Sequence, residues 1–167
     1  DRDPYEREDS AVEWTRWQCR PWYEADGSIG GVVVYTEVIT DQVQREEALR
    51  ESEEHQRAMI EASPLGIISL APDGEVRTWN PAAERIFGWT AEEAVGRPLP
   101  FVPPERLAES AELRARIMAG EVFSRLELTR QRKDGLPIEV SLSTAPVRDA
   151  RGDVASIMAV LEDITEQ

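Results

Sequence analysis

Trp79-Asn80-Pro81-Ala82-Ala83-Glu84-Arg85-Ile86-Phe87-Gly88-Trp89 is the stretch from which the rest of the chain can be ordered. Asn80 offers a side-chain oxygen to helix N–H groups, and Pro81 stands at the first helical position, where a missing N–H costs nothing. Ala83, Ile86 and Phe87 form an apolar face at helical spacing, and Gly88 can close the helix in the left-handed conformation. A helix this short does not persist alone in water, so its apolar face must lie on something. Immediately upstream, residues 66–70 read as a short apolar strand, Pro72-Asp73-Gly74-Glu75 as a turn, and residues 76–79 as the returning strand. Downstream, Thr90-Ala91-Glu92-Glu93 is a capping box for a second short helix, closed by Gly96 and Pro98. Residues 105–119 read as a further helix with Leu113 and Ile117 on one side, a Glu112/Arg116 pair at i,i+4, and Gly120 as its stop.

After Gly120 the period changes from helix to strand. Residues 122–132 carry Leu126 and Leu128 between Glu127 and Thr129, and Lys133-Asp134-Gly135 is a hairpin turn. Ile138, Val140 and Leu142 alternate with Glu139, Ser141 and Ser143, the cleanest period-2 pattern in the chain. A turn at Arg151-Gly152-Asp153 leads to residues 154–161, which are apolar at both parities and so fit a central strand. Two strands, three or four short helices and a three-stranded meander predict an α+β unit with its helices on one face of an antiparallel sheet.

An internal repeat organises the N-terminal part. Residues 20–42 match residues 145–167 at a constant offset of 125 without a gap. Identities fall at Pro21/Pro146, Ala25/Ala150, Gly27/Gly152, Glu37/Glu162, Ile39/Ile164, Thr40/Thr165 and Gln42/Gln167. A fixed offset is the mark of tandem units. The chain is thus expected to begin late in one unit and run through a second, with boundaries at 1–40, 41–61 and 62–167. Residues 12–22 and 29–39 read as a Trp-rich hairpin, and residues 1–11 as a polar, frayed end. An isolated hairpin is marginal in water, so Trp14, Trp17, Trp22 and Tyr35 call for cover. Residues 40–61 hold Glu, Gln, Arg, Ala and Leu with no Gly or Pro, a strong helix composition with Thr40 as the expected N-cap. Ile39, Leu49, Gln56 and Ile60 approach heptad spacing, while Gln42, Glu46 and Glu53 share the seam, which leaves a weak coiled-coil signal beside a plain solvated helix.

Composition excludes several classes. The 167 residues are 41% hydrophobic and 31% charged, enough apolar material for a core. A net charge of −14 argues against a nucleic-acid partner. No apolar run nears the roughly 18 residues of a membrane span, so no membrane contact is expected from these residues. One cysteine, Cys19, and one histidine, His55, leave no disulfide framework, no Cys/His metal cage and no histidine-based catalytic triad. Many glutamates are present, but none stands in an apolar setting that would tune it for acid-base catalysis. No charge stands out as buried, and Arg85 and Arg97 read first as surface residues and second as contacts for an anionic metabolite. A non-catalytic cytoplasmic domain is expected.

Residues 63–167 resemble a PAS domain, the sensory box family. The resemblance is carried by Ser63-Pro64-Leu65-Gly66-Ile67, Asp73-Gly74, the stretch quoted at the outset, Glu92, Glu93, Gly96 and Pro98, the Arg132-Lys133-Asp134-Gly135 turn, and the terminal Asp163-Ile164-Thr165. Residues 17–40 look like the last two strands of an upstream PAS domain, in which Val38 replaces the aspartate of the terminal motif. Residues 43–62 resemble the helices that join tandem PAS domains. The resemblance implies a five-stranded antiparallel sheet with short helices across one face, enclosing a small pocket, within a larger signalling protein such as a sensor histidine kinase or cyclic-dinucleotide enzyme. It implies a homodimer through the linker helix and hairpin, a downstream output domain, and Asp163 and Thr165 as the residues that couple the sheet to its exit. Pocket candidates are Trp79, Ile86, Phe87, Leu142 and Met158, for each of which ordinary core packing is the first reading and a ligand shell the second. Haem is disfavoured because residues 105–119 hold no His, and covalent flavin because no Cys follows Gly96. Noncovalent flavin, a small metabolite and a ligand-free dimerisation and relay domain with a filled core all stay open.

Overall fold

The computed structural model describes residues 2–6 and 12–165, in two compact units, Asp1–Gln56 and Arg57–Gln167. The expected frayed end at 1–11 falls partly outside the described residues, at 1 and 7–11.

The C-terminal unit is built on a five-stranded antiparallel sheet of β4 (Gly66–Leu70), β5 (Val76–Trp79), β6 (Phe123–Gln131), β7 (Pro137–Arg148) and β8 (Val154–Asp163), in spatial order β5-β4-β8-β7-β6. β8 is central, as its two-sided apolar composition requires. Between β5 and β6 the chain forms α2 (Pro81–Phe87), α3 (Ala91–Ala94), a single 3₁₀ turn (Pro104–Arg106) and α4 (Leu107–Met118). The expected helix at 105–119 therefore opens with a 3₁₀ turn. The expected Glu112/Arg116 pair gives way to Arg116–Glu121, with two N–H···O contacts of 2.8 and 2.5 Å, because Gly120 (φ 102°) folds the chain back beside the helix end.

Asn80 is 4% exposed and uses its whole amide. Its Oδ1 accepts from the Ala83 N–H that starts α2 and from Ile67 N–H in β4, each at 2.9 Å. Its Nδ2 donates to the carbonyls of Ile60 and Leu65, each at 3.0 Å. Gly88 closes α2 with φ 85° and donates to Glu84 O at 2.8 Å, a conformation that glycine reaches without strain. The Thr90/Glu93 capping box forms as read. Held this way, α2 drives Phe87 (fully buried) onto Phe101, with ring centroids 4.2 Å apart, and both rings lie within 6 Å of Trp79. The Trp79 indole N–H is satisfied by Trp89 O at 3.0 Å.

The N-terminal unit holds three strands, where a hairpin was expected: β1 (Arg2–Glu6), β2 (Val12–Tyr23) and β3 (Ile29–Val38), in order β1-β2-β3. Its pairing reproduces that of β6-β7-β8 at the constant offset of 125. Thr15↔Val38 corresponds to Val140↔Asp163, Pro21↔Val32 to Pro146↔Ile157, and Asp3↔Thr15 to Leu128↔Val140. The register slips at Trp22/Tyr23 and at Val147/Arg148, again 125 apart, and the turns carry Gly27 (φ 84°) and Gly152 (φ 88°). The geometry thus continues through residues 2–6 and 12–19, where no identity with 127–131 or 137–144 exists. Ladder hydrogen bonds use backbone groups that every non-proline residue carries, so the register outlives the side chains. The side chains have diverged in burial. Val32 and Val34 are 60% and 59% exposed, against 1% and 3% for Ile157 and Ala159. Trp17 donates its indole N–H to Asp3 at 2.8 Å, and the Trp22 ring lies over Gly30 and Gly31, where any Cβ would clash. Helix α1 (Thr40–Ala62) starts from this sheet. Ile39 N–H donates to Trp14 O, and the Thr40 hydroxyl accepts from Trp14 N–H at 2.8 Å, which takes it from the capping role expected.

Replacing Asn80 with Ala strands two N–H groups and two carbonyls at once. Urea unfolding of the Asn80→Ala chain is expected to show a loss of about 2–4 kcal/mol. A loss below about 0.5 kcal/mol, the ordinary range of a surface change, would remove Asn80 from this structural role.

Candidate functional site

The inner face of the C-terminal sheet is roofed unevenly. Toward β5, α2 and α3 pack closely on the aromatic cluster. Toward β6, one helix, α4, does the covering, tethered by Ile117 (buried), by the Arg116 guanidinium 4.7 Å over the Phe123 ring, and by Glu109 against Arg130. Beneath α4 lies a cavity of about 260 Å³. Its floor is the inward parity of the sheet, including Ile68, Leu128, Leu142, Ile157, Ala159 and Leu161. Leu99, Phe101 and Val102 form one wall, and the Leu107, Ala111 and Leu113 face of α4 forms the roof.

Of the five sequence candidates, the structure brings Leu142 alone to the cavity. Trp79 and Phe87 belong to the aromatic cluster beside it, where they support Phe101, and Ile86 turns toward Gly66. Met158 lies on the outer face of the sheet, opposite Ser69 and Ala145. Its neighbours Ile157 and Ala159 face inward, and successive residues in a strand point to opposite faces. Because β8 is apolar at both parities, its sequence could not reveal which parity was inside.

Four polar residues line the cavity: Ser110, Arg114, Arg130 and Thr144. None was read from the sequence as a site residue. The signal for two of them was present, since Arg130 continues the inward parity of Leu126 and Leu128, and Thr144 that of Val140 and Leu142. Arg130 also corrects the expectation that no charge is buried, being 4% exposed. Its Nη1 donates to Thr129 O at 2.8 Å and stands 3.5 Å from Glu109 Oε1. Burial pushes the guanidinium below its ordinary pKa, against the opposing pull of Glu109. Thr144 is 5% exposed, and its Oγ1 is, among the described residues, the one buried side-chain polar atom without a hydrogen-bond partner. Arg85 and Arg97 are exposed, as read.

At the sheet's exit, Asp163 and Thr165 are knitted to two other strands. Asp163 Oδ2 accepts from Arg132 at 2.7 Å, and Oδ1 accepts from the Thr165 hydroxyl at 2.6 Å and the Thr165 N–H at 3.0 Å. Thr165 Oγ1 accepts from Glu139 N–H at 3.3 Å, and Ile164 N–H donates to Glu139 O at 2.9 Å. The chain leaving β8 is therefore fixed to the first residues of β7 and to the β6–β7 turn. On the other side of that turn, Lys133 N–H donates to Phe87 O, and its ammonium bonds Glu93 at 2.6 and 2.8 Å. Lys133 holds the exposed Glu93 carboxyl below its usual pKa. Among the described residues no group of His, Cys, Asp and Glu is arranged to hold a metal ion, and no helix is long and apolar enough to cross a membrane.

Residues 54–164 match the family described as the PAS fold. The C4-dicarboxylate transport sensor protein DctS of Rhodobacter capsulatus is 32% identical over 124 residues, 72% of this chain and 19% of that protein. The signal transduction histidine-protein kinase AtoS of Escherichia coli (strain K12) is 29% identical over 119 residues, 71% of this chain and 19% of that one. The chain thus spans about a fifth of the length of these curated relatives. Among solved structures, a PAS domain from Colwellia psychrerythraea superposes with a TM-score of 0.62 at 18% identity, covering 68% of this chain and 98% of the other. Strand order, helix placement and the match over 54–164 agree, and the chain belongs to the PAS fold family.

Proposed function

We propose that the chain is a sensory module of a larger signalling protein, which takes a small ligand into the cavity under α4 and passes its occupancy to the sheet's exit. The cavity carries this reading. It lies between a floor and one tethered helix, so a ligand that fills it favours one seating of α4, and any such preference shifts a two-state population. The volume lies just below the ~300–1,000 Å³ usual for drug-sized ligands, which favours a small metabolite over a flavin. The floor strands β6 and β7 lead to Arg132 and Glu139, the partners of Asp163 and Thr165. These last two residues are the coupling pair, and the module acts by binding and relay, without catalysis of its own.

The sensor-protein relatives support an output domain of the histidine kinase or cyclic-dinucleotide class elsewhere in the parent protein, on the cytoplasmic side. Residues 1–40 serve as the closing strands of a preceding unit of the same fold, a reading that the shared offset of 125 supports. Residues 41–61 serve as the linker between the units. Leu49 and Met59 stand exposed on α1, and Val32, Val34 and Tyr35 on β3, which supports a homodimer through helix and sheet.

Thermal unfolding against a panel of small carboxylic acids, alcohols and flavin mononucleotide tests the cavity. A ligand at about a hundred times its Kd adds about 2.7 kcal/mol, several degrees in Tm. Ala159→Leu, which fills the floor, is expected to abolish that gain. No gain from any member, with Ala159→Leu merely stabilising, would instead favour the ligand-free relay. In the full-length protein, Asp163→Ala is expected to leave the fold intact and disconnect output from stimulus; unchanged regulation would refute the coupling role. Deletion of residues 1–40 is expected to weaken the dimer in sedimentation equilibrium, and an unaltered dissociation constant counts against that interface.

A further inference from the structure

We infer that the cavity selects a small aliphatic monocarboxylate, its head group held by Arg130, an inference that rests on the ligand-site reading above. The chain has 33 acidic residues and 19 Lys and Arg, yet no carboxylate lines the cavity, whereas Arg114 and Arg130 do. A strongly acidic protein has thus kept this cavity free of negative charge and placed two guanidiniums on its wall. The rest of that wall is mainly Leu and Ile, which suits an alkyl chain. At interior packing density the volume admits about a dozen non-hydrogen atoms.

Arg130 is 4% exposed, and its ion-pair partner is held loosely. Glu109 Oε1 stands at 3.5 Å, longer than the ~2.7–2.9 Å of a good charge-assisted bond. The same carboxylate is about a third exposed and also accepts from Arg106 at 3.3 Å, so it is shared and partly hydrated. A guanidinium presents five N–H donors in a planar fork, and a ligand carboxylate can take two of them side by side. Among the described residues Arg114 has no carboxylate within 4 Å, so it adds a second positive charge at the wall. Thr144 is the other built feature. Its buried, unpartnered hydroxyl lies on the β7 face six residues beyond Ile138, the pairing partner of Arg130. Arg130 and Thr144 line the same cavity, so a ligand long enough to reach both would satisfy the Thr144 hydroxyl with a hydroxyl or carbonyl at its far end.

Three probes separate these contributions: octanoate, octan-1-ol and 8-hydroxyoctanoate, titrated into the 167-residue chain at pH 7.5 by calorimetry. Octanoate is expected to bind at least about tenfold more tightly than octan-1-ol. Arg130→Gln is expected to erase that margin while leaving the alcohol's affinity unchanged, and Arg114→Gln to reduce it in part. 8-Hydroxyoctanoate is expected to exceed octanoate severalfold, with Thr144→Val removing the excess. Equal or tighter binding of the alcohol to the unmodified chain overturns the inference, as does a margin that survives in Arg130→Gln. Should Arg130→Gln not fold, the acid-to-alcohol ratio in the unmodified chain and in Arg114→Gln still decides. Failure of all three probes to bind strikes the ligand-site reading itself, whereas binding of the alcohol alone leaves that reading standing and removes only the carboxylate.

Discussion

One amide side chain holds the C-terminal unit in its arrangement. Asn80 joins the end of α1, the segment leading into β4, β4 itself and the start of α2 through four hydrogen bonds, and every one of its partners is backbone. Side chains of other sizes can replace one another in a core, but few can accept twice and donate twice from one buried point. With α2 fixed at that origin, Phe87 has one place to go, and the stack of Phe87 on Phe101 follows. That stack uses up the apolar cover available on the β5 side of the sheet. The β6 side is left to α4, and the space beneath α4 is the result. The cavity is thus a product of how the cover is shared out along the sheet, and the closeness of packing at one end permits looseness at the other.

The same division separates a loosely seated part from a tightly held one. The tethers of α4 named above lie near its two ends, with the cavity between them. The exit of β8 is bound by five hydrogen bonds to β7, the β6–β7 turn and its own backbone. Between helix and exit run the paired strands β6 and β7, which are stiff along their length. On the relay proposed above, a change in the seating of α4 would reach the exit through backbone pairing, with no chain of mobile side chains needed.

Much of this was legible in the sequence. Local chemistry announced itself: Asn80-Pro81 as a helix start, Gly88 as a stop, Thr90/Glu93 as a capping box, and the alternation of residues 138–143 as a strand with one buried face. The tandem repeat was legible where turn residues and exit residues matched, at 20–42. It was illegible over 2–6 and 12–19, because strand pairing there persists without side-chain identity, so β1 was missed and a sheet was read as a hairpin. The site was the least legible part. A strand that is apolar on both faces does not reveal its inward parity, which is why Met158 was assigned to the wrong face. Arg130 and Thr144 lay in phase with their apolar neighbours, but polar residues in a strand are ordinarily taken for its surface side. Phe101 sits in a Pro-rich loop, where no periodicity exists to announce that a ring turns inward.

The acid-free cavity inside so acidic a chain has a kinetic side. The protein's surroundings carry a negative potential that reaches about 8 Å at physiological ionic strength, and an approaching anion must climb it before meeting the guanidiniums. Counterions flatten that outer slope, while the enclosed arginines are largely shielded from them. Added salt should therefore speed arrival more than it hastens escape. For the carboxylate proposed above, that reverses the usual steering by opposite charge and would slow the module's response to a brief pulse.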